Sequence, residues 1–228
     1  MLNGAYEQMG AIKHFTARCR RRFMGAIDVL TGRAIAYNKS TMAHHSLMFS
    51  QEGEDAILRR LLEQQEQGFY IDVGAHHPQR FSNTYFFYLK GWRGINIEPN
   101  PGAITHFNRI RSRDINLELG VATQEGVMIY HQFHEAALNT FDPVVAESLQ
   151  ETMVGHTCEV RTKPLAMILE QHLPPGQAID FMTVDVEGMD EEVIRSNNWE
   201  RYRPRFLLAE SRQTKTVDEA LNTSLHEF

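Results

Sequence analysis

The sequence predicts an α/β fold: a parallel sheet with helices on both faces, preceded by a helical N-terminal segment. Three observations predict it. From Ser50 onward, short apolar runs alternate with stretches of helical periodicity. The runs are apolar throughout, as strands covered on both faces require. Several of them end on an acid (Asp72, Glu98, Asp185), where open parallel sheets bind their ligands.

A chain of 228 residues with 42% hydrophobic content is enough for a globular domain with a sizeable core. A net charge of −6 gives no reason to expect a nucleic-acid partner. Charge is uneven, however. Seven basic residues (Lys13, Arg18, Arg20, Arg21, Arg22, Arg33, Lys39) face two acids (Glu7, Asp28) in residues 1–40. The Arg18–Arg22 cluster suits either a solvated helix face or contact with an anionic membrane surface. Two cysteines, Cys19 and Cys158, without metal-ligand spacing fit neither a zinc site nor a disulfide framework. No apolar run approaches the roughly 20 residues that span a bilayer. The start lacks a signal-peptide pattern, so a cytoplasmic location is expected.

Residues 1–48 form the first segment and 49–228 the second. Residues 5–36 read as one or two helices, and 37–48 as a linker. Ser50 is placed to cap a helix over 51–66 with early acids that favour its dipole. Strand 69–73 follows, then the loop Gly74-Ala75-His76-His77-Pro78. Ser82 or Asn83 caps a helix through Lys90, stopped by Gly91. Strand 94–98 ends at Pro99. A helix over 102–110, a strand over 115–121 and a strand over 127–133 come next. Residues 134–157 read as loop around a helix near 143–152. A helix over 164–172 ends before Pro174-Pro175-Gly176. Strand 179–184 leads into Asp185-Val186-Glu187-Gly188, a helix over 189–196 and a strand over 206–209.

The motifs point to a nucleoside cofactor. Gly74, following Asp72 and Val73, lets the backbone pass close to a ligand. Glu98 ends the next strand and suits hydrogen bonding to a ribose diol. The dinucleotide fingerprint is missing, since His76 and Gln79 occupy its second and third glycine positions. A cofactor without phosphates fits better, and S-adenosylmethionine is one.

The sequence resembles the FkbM family of class I S-adenosylmethionine-dependent methyltransferases. The resemblance lies in Ser50–Asp55, Phe69–His76, Phe81–Thr84, Gly91–Pro99, Arg113–Leu117, Leu138–Phe141 and Asp180–Gly188, in that order. It implies a Rossmann-like sheet and methylation of a hydroxyl on a small molecule, such as a sugar or a polysaccharide or natural-product precursor. It implies cofactor contacts at Gln51, Asp72, Gly74, Ala75, Asn83, Glu98, Pro99 and Asp185, and a reacting centre near Asp185 and Glu187. One departure stands out. After the strand at 206–209 only 18 residues (211–228) remain, too few for the usual helix and closing hairpin, so a truncated chain or a smaller sheet is expected.

A hydroxyl acceptor must lose its proton as it attacks, so a base is needed. Asp185, Glu187, His76, His77 and Glu210 are candidates, with Glu187 or a histidine of the 76–77 pair preferred and Asp185 orienting cofactor or substrate. No metal is expected, although His76, Asp185 and Glu187 together offer ligand chemistry. Each residue also has a plainer use. Asp185 and Glu187 suit a helix N-terminus, and Gln51 and Asn83 suit caps. The rival reading is a catalytically silent nucleoside-binding module acting in a complex.

Overall fold

The computed structural model describes residues 47–150 and 155–210. The helices expected over 5–36, the linker up to residue 46, the Arg18–Arg22 cluster and the expected truncated end fall outside these residues. One compact unit begins at Met48.

Its elements are α1 (Glu54–Leu61), β1 (Phe69–Val73), α2 (Tyr85–Leu89), β2 (Arg93–Ile97), α3 (Ile104–Ile110), β3 (Ile115–Leu117), β4 (Gly120–Val121), β5 (Gly126–Phe133), a 3-10 turn (Ala136–Leu138), α4 (Pro143–Gln150), β6 (Gly155–Lys163), α5 (Leu165–His172), β7 (Phe181–Val184), α6 (Asp190–Arg195) and β8 (Phe206–Ala209). Five parallel strands form the main sheet in the order β3-β2-β1-β7-β8. This is the Rossmann-like α/β sheet that the sequence predicts.

Alternate residues of the central strands feed two cores. Phe69, Ile71, Val73, Ile95, Ile97, Met182 and Val184 pack with Leu165, Ile168 and Leu169 of α5 and Val193 and Ile194 of α6. On the opposite face Tyr70 and Phe181 pack with Leu58 of α1, Phe87 and Tyr88 of α2, and Trp92. Helices therefore cover both faces, which is why the strands read as apolar throughout.

A buried polar network interrupts the second core. Arg111, fully buried, pairs through Nε with Asp114 at 2.9 Å and donates to the Tyr70 hydroxyl at 2.7 Å. Asp114 also accepts from Tyr70, Asn96 and the Gly94 amide. An ion pair this deep is held only because its remaining hydrogen-bonding positions are filled.

Three elements differ from expectation. The single strand expected over 115–121 divides: β3 stays in the main sheet, while β4 pairs with β6. Gly120 makes this possible, since a Cβ there would meet the Phe141 ring at 2.6 Å. The loop expected up to 157 gives way at Gly155 to β6, which pairs antiparallel with β5 along its length. Its alternating polar residues hide it from an apolar-run search. α1 is shorter than 51–66 and its N-cap is Gly53, without a side-chain cap. The Ser50 hydroxyl instead donates to buried Asp55 at 2.8 Å and accepts that residue's amide. Likewise α2 is capped by Thr84 in name only, while Ser82 Oγ accepts the Tyr85 amide at 3.1 Å.

Arg111→Met strands the buried Asp114 carboxylate, and urea unfolding should show a loss of about 3–5 kcal/mol. Arg111→Met combined with Asp114→Leu should recover part of that loss, because no unpaired charge is then left inside.

Candidate active site

A cleft enclosing about 960 Å³, open solvent included, lies at the carboxyl ends of β1, β2 and β7. Every residue expected at the site lines it: Gln51, Asp72, Gly74, Ala75, His76, Asn83, Glu98, Pro99, Asp185 and Glu187. His77 and Glu210, considered as bases, do not.

β1 supplies the floor. Gly74 has φ +79, and a Cβ there would lie 1.8 Å from the Asp185 carbonyl oxygen. The glycine is thus demanded by the backbone of the segment after β7, a reason that the sequence alone does not show. The Gly74 and Ala75 amides both donate to the Ile97 carbonyl, at 3.0 and 3.1 Å. This ties the loop to the end of β2.

Asp72 and Glu98 are buried at the ends of neighbouring strands. Burial pushes the Asp72 carboxyl up to about 6, although the Arg111 charge and the Thr84 hydroxyl pull the other way. Burial raises Glu98 to about 7, against two backbone hydrogen bonds that favour its ionised form. Those bonds fix its plane: Oε2 accepts the His76 amide at 2.6 Å and Oε1 the Asn100 amide at 2.8 Å. Each oxygen keeps a further lone-pair site, so a diol and the two amides are compatible partners.

The two histidines part company. His77 Nδ1 accepts the amides of Gln79 and Arg80, at 3.1 and 2.9 Å, so it closes its own loop. His76 enters the cleft. Burial, then the Arg80 and His77 charges, lower it to about 4. Asn83, expected as a cap or ligand contact, donates to the Thr183 hydroxyl at 3.0 Å and ties the loop to β7.

Beyond β7, the Glu187 carbonyl accepts the Thr140 hydroxyl at 2.8 Å. Asp190, the first residue of α6, accepts the Val186 and Gly188 amides and so closes the loop after β7, while α6 itself has no side-chain cap and neither Asp185 nor Glu187 supplies one. Burial and then the Asp185 charge raise Asp190 to about 7. Among the described residues, three non-glycine residues have positive φ: His76 (52°), Phe81 (54°) and Glu187 (55°). All three line this cleft. Such strain is kept where surrounding structure holds it, often at functional sites.

Sequence reasoning missed the far wall. Tyr130 of β5, Ala136 and Ala137 of the 3-10 turn, and Asn139 and Phe141 complete the lining. Tyr130 packs on Phe141 with ring centroids 4.6 Å apart. Asn139 and Phe141 lie within a stretch that carried the family resemblance, a signal that pointed to this wall. Among the described residues no three His, Cys, Asp or Glu side chains are grouped for a metal ion, and none of the helices there is long and apolar enough to cross a membrane.

A parallel α/β sheet with a cleft at its carboxyl edge, lined by strand-end acids, defines a Rossmann-like fold. The FkbM methyltransferase domain matches residues 72–227. The chain belongs to the FkbM methyltransferase family. Comparison with curated proteins and with solved structures gives no match.

Gly74→Ala forces a Cβ into the Asp185 carbonyl in a left-handed conformation. Chemical denaturation should show a loss of at least about 2 kcal/mol. Because Glu98 holds its proton more tightly when folded, its contribution to stability declines as pH rises from the ordinary carboxylate range to about 7 and is flat above. Glu98→Gln lacks that decline. Whatever its baseline cost beside two amides, its melting temperature relative to the unsubstituted protein should improve between about pH 5 and about pH 8.

Proposed function

We propose that the chain uses S-adenosylmethionine to methylate a hydroxyl oxygen of a small molecule, such as a sugar or a polysaccharide or natural-product precursor. The observation that carries this reading is the Glu98 carboxylate, fixed by two amides, lining one cleft with Gly74, Asp185 and Glu187 in a chain of a methyltransferase family. The cleft's chemistry fits the cofactor: buried carboxylates face it, and no glycine-rich phosphate cradle is present in the sequence.

Bound there, S-adenosylmethionine supplies an electrophilic methyl on a sulfonium that leaves as a neutral thioether. The protein's share is placement, exclusion of water and proton removal. Glu98 accepts hydrogen bonds from the ribose diol. Gln51, Asp72, Ala75, Asn83 and Pro99 shape the cofactor side, and Asp185 orients cofactor or acceptor. The hairpin wall at Tyr130, Asn139 and Phe141 screens the reacting end from water. Holding the two reactants aligned is worth on the order of 7–11 kcal/mol. Glu187, presented on a strained backbone, takes the acceptor's proton as the oxygen attacks.

Calorimetry should show binding of S-adenosylmethionine and S-adenosylhomocysteine, and none of NAD. Glu98→Ala should weaken both by about 10- to 100-fold. Because the diol donates to the ionised carboxylate, affinity should fall as pH drops below about 7, where Glu98 must first lose its proton. Full affinity in Glu98→Ala defeats the ribose assignment. In an acceptor screen, Asp185→Asn with Glu187→Gln should cut turnover by about 10²- to 10⁴-fold. Cofactor binding without methylation of any hydroxylated acceptor points to a silent binding module instead.

A further inference from the structure

One polar link joins the loop after β1 to the residue that caps the 3-10 turn. Arg80 donates through both terminal nitrogens to Glu135, at 3.0 and 2.9 Å. Glu135 is itself held, since it caps the turn and accepts the Ala137 amide. The guanidinium lies over the Phe81 ring at 4.1 Å, and Phe81 is stacked on His76. The same Arg80 Nη1 stands 3.5 Å from His76 Nε2.

Chemistry fixes the direction of that last contact. A guanidinium has only donors, so Arg80 can share a hydrogen bond here only with an unprotonated Nε2, which leaves the ring proton for Nδ1. A doubly protonated ring would turn an N–H toward a cation. Two anchors keep the geometry: the His76 amide donates to Glu98, and Arg80 is clamped by Glu135. The charged groups that act on the ring are Arg80, His77 and Glu135.

We propose that Arg80, locked by Glu135, is a positioning residue that holds His76 as a neutral imidazole with its proton on Nδ1, so that His76 serves the reaction as a hydrogen-bond donor while a carboxylate of the cleft takes the acceptor's proton. The tautomer stands on geometry alone; the donor role rests on the methyl-transfer reading. The step balances simply. The acceptor oxygen bonds to the methyl carbon, the carbon–sulfur pair returns to sulfur, and the proton passes to a carboxylate, while His76 keeps its own.

Nitrogen-15 NMR of the ring, assigned by its loss in His76→Gln, tests this without cofactor or acceptor. The expected spectrum has a bare Nε2 and a protonated Nδ1, with titration near about 4. Arg80→Gln should mix the two tautomers and raise the titration midpoint by roughly half a unit or more, burial still holding it below a free histidine. Both members of the ion pair are about half exposed, at 47% and 44%, so the variant should fold with a nearly unchanged melting temperature. With an acceptor in hand, Arg80→Gln should lower kcat, leave the KM for S-adenosylmethionine and the acid limb of the pH profile in place, and His76→Gln, which keeps a donor, should outperform His76→Ala. A proton on Nε2, or an unchanged spectrum in Arg80→Gln, overturns the proposal. An acid limb that moves with the His76 titration overturns the donor role. Failure to bind S-adenosylhomocysteine, with the spectrum as expected, instead overturns the methyl-transfer reading and with it the donor role.

Discussion

The site exists because two backbones touch. At the carboxyl end of β1, Gly74 lies so close to the Asp185 carbonyl that no Cβ fits between them. That contact continues the β1–β7 register one step past its last ladder pair, Val73 with Val184, and the Asp185 amide closes it by donating to the Val73 carbonyl at 3.0 Å. The two loops therefore leave the sheet side by side. One carries His76, Phe81 and Asn83, the other Asp185 and Glu187. Everything placed in the cleft inherits its position from that contact.

The electrostatics follow from the same edge. Parallel pairing sets Asp72 opposite Asn96, with Glu98 two residues on at the end of β2. Both acids are buried, and burial penalises their charge. Arg111 answers from beneath the sheet: its charge lowers Asp72 while Asp114 and Tyr70 occupy its own donors. Glu98 has no such cation in its balance and relies on backbone amides. The two acids thus differ in role by environment. Asp72 is a structural charge answered from within the sheet and by Thr84. Glu98 is poised to ionise when donors arrive on its open side.

Much of this was legible in the sequence, for stated reasons. β1 and β8 match their expected bounds, because each is a short, mostly apolar run with clear stops. All ten expected site residues line one cleft, since strand-end acids and a glycine leave a recognisable spacing. What stayed hidden has a common cause. β6 presents Glu159 and Arg161 to solvent and Cys158, Val160 and Thr162 inward, a short polar alternation without turn signals. The division of 115–121 between two sheets depends on Gly120 meeting Phe141, a contact across 21 positions. The use of His77 to close its own loop, and of Asp190 to close the loop after β7, are choices between equivalent side chains that only coordinates decide.

The hidden hairpin also explains how strain is kept at the site. An isolated β1 loop and β7 loop would let His76 and Glu187 relax toward negative φ. The β4-β6-β5 sheet prevents this by gripping both loops from the far side. Thr140, paired with His131 of β5 through two backbone hydrogen bonds, donates its hydroxyl to the strained Glu187 carbonyl. Glu135, just past β5, clamps Arg80, which lies between the strained His76 and Phe81. The wall that closes the cleft is therefore also the frame that holds its reactive loops. A change in that hairpin alters the shape of the cleft and the aim of the side chains on both loops together.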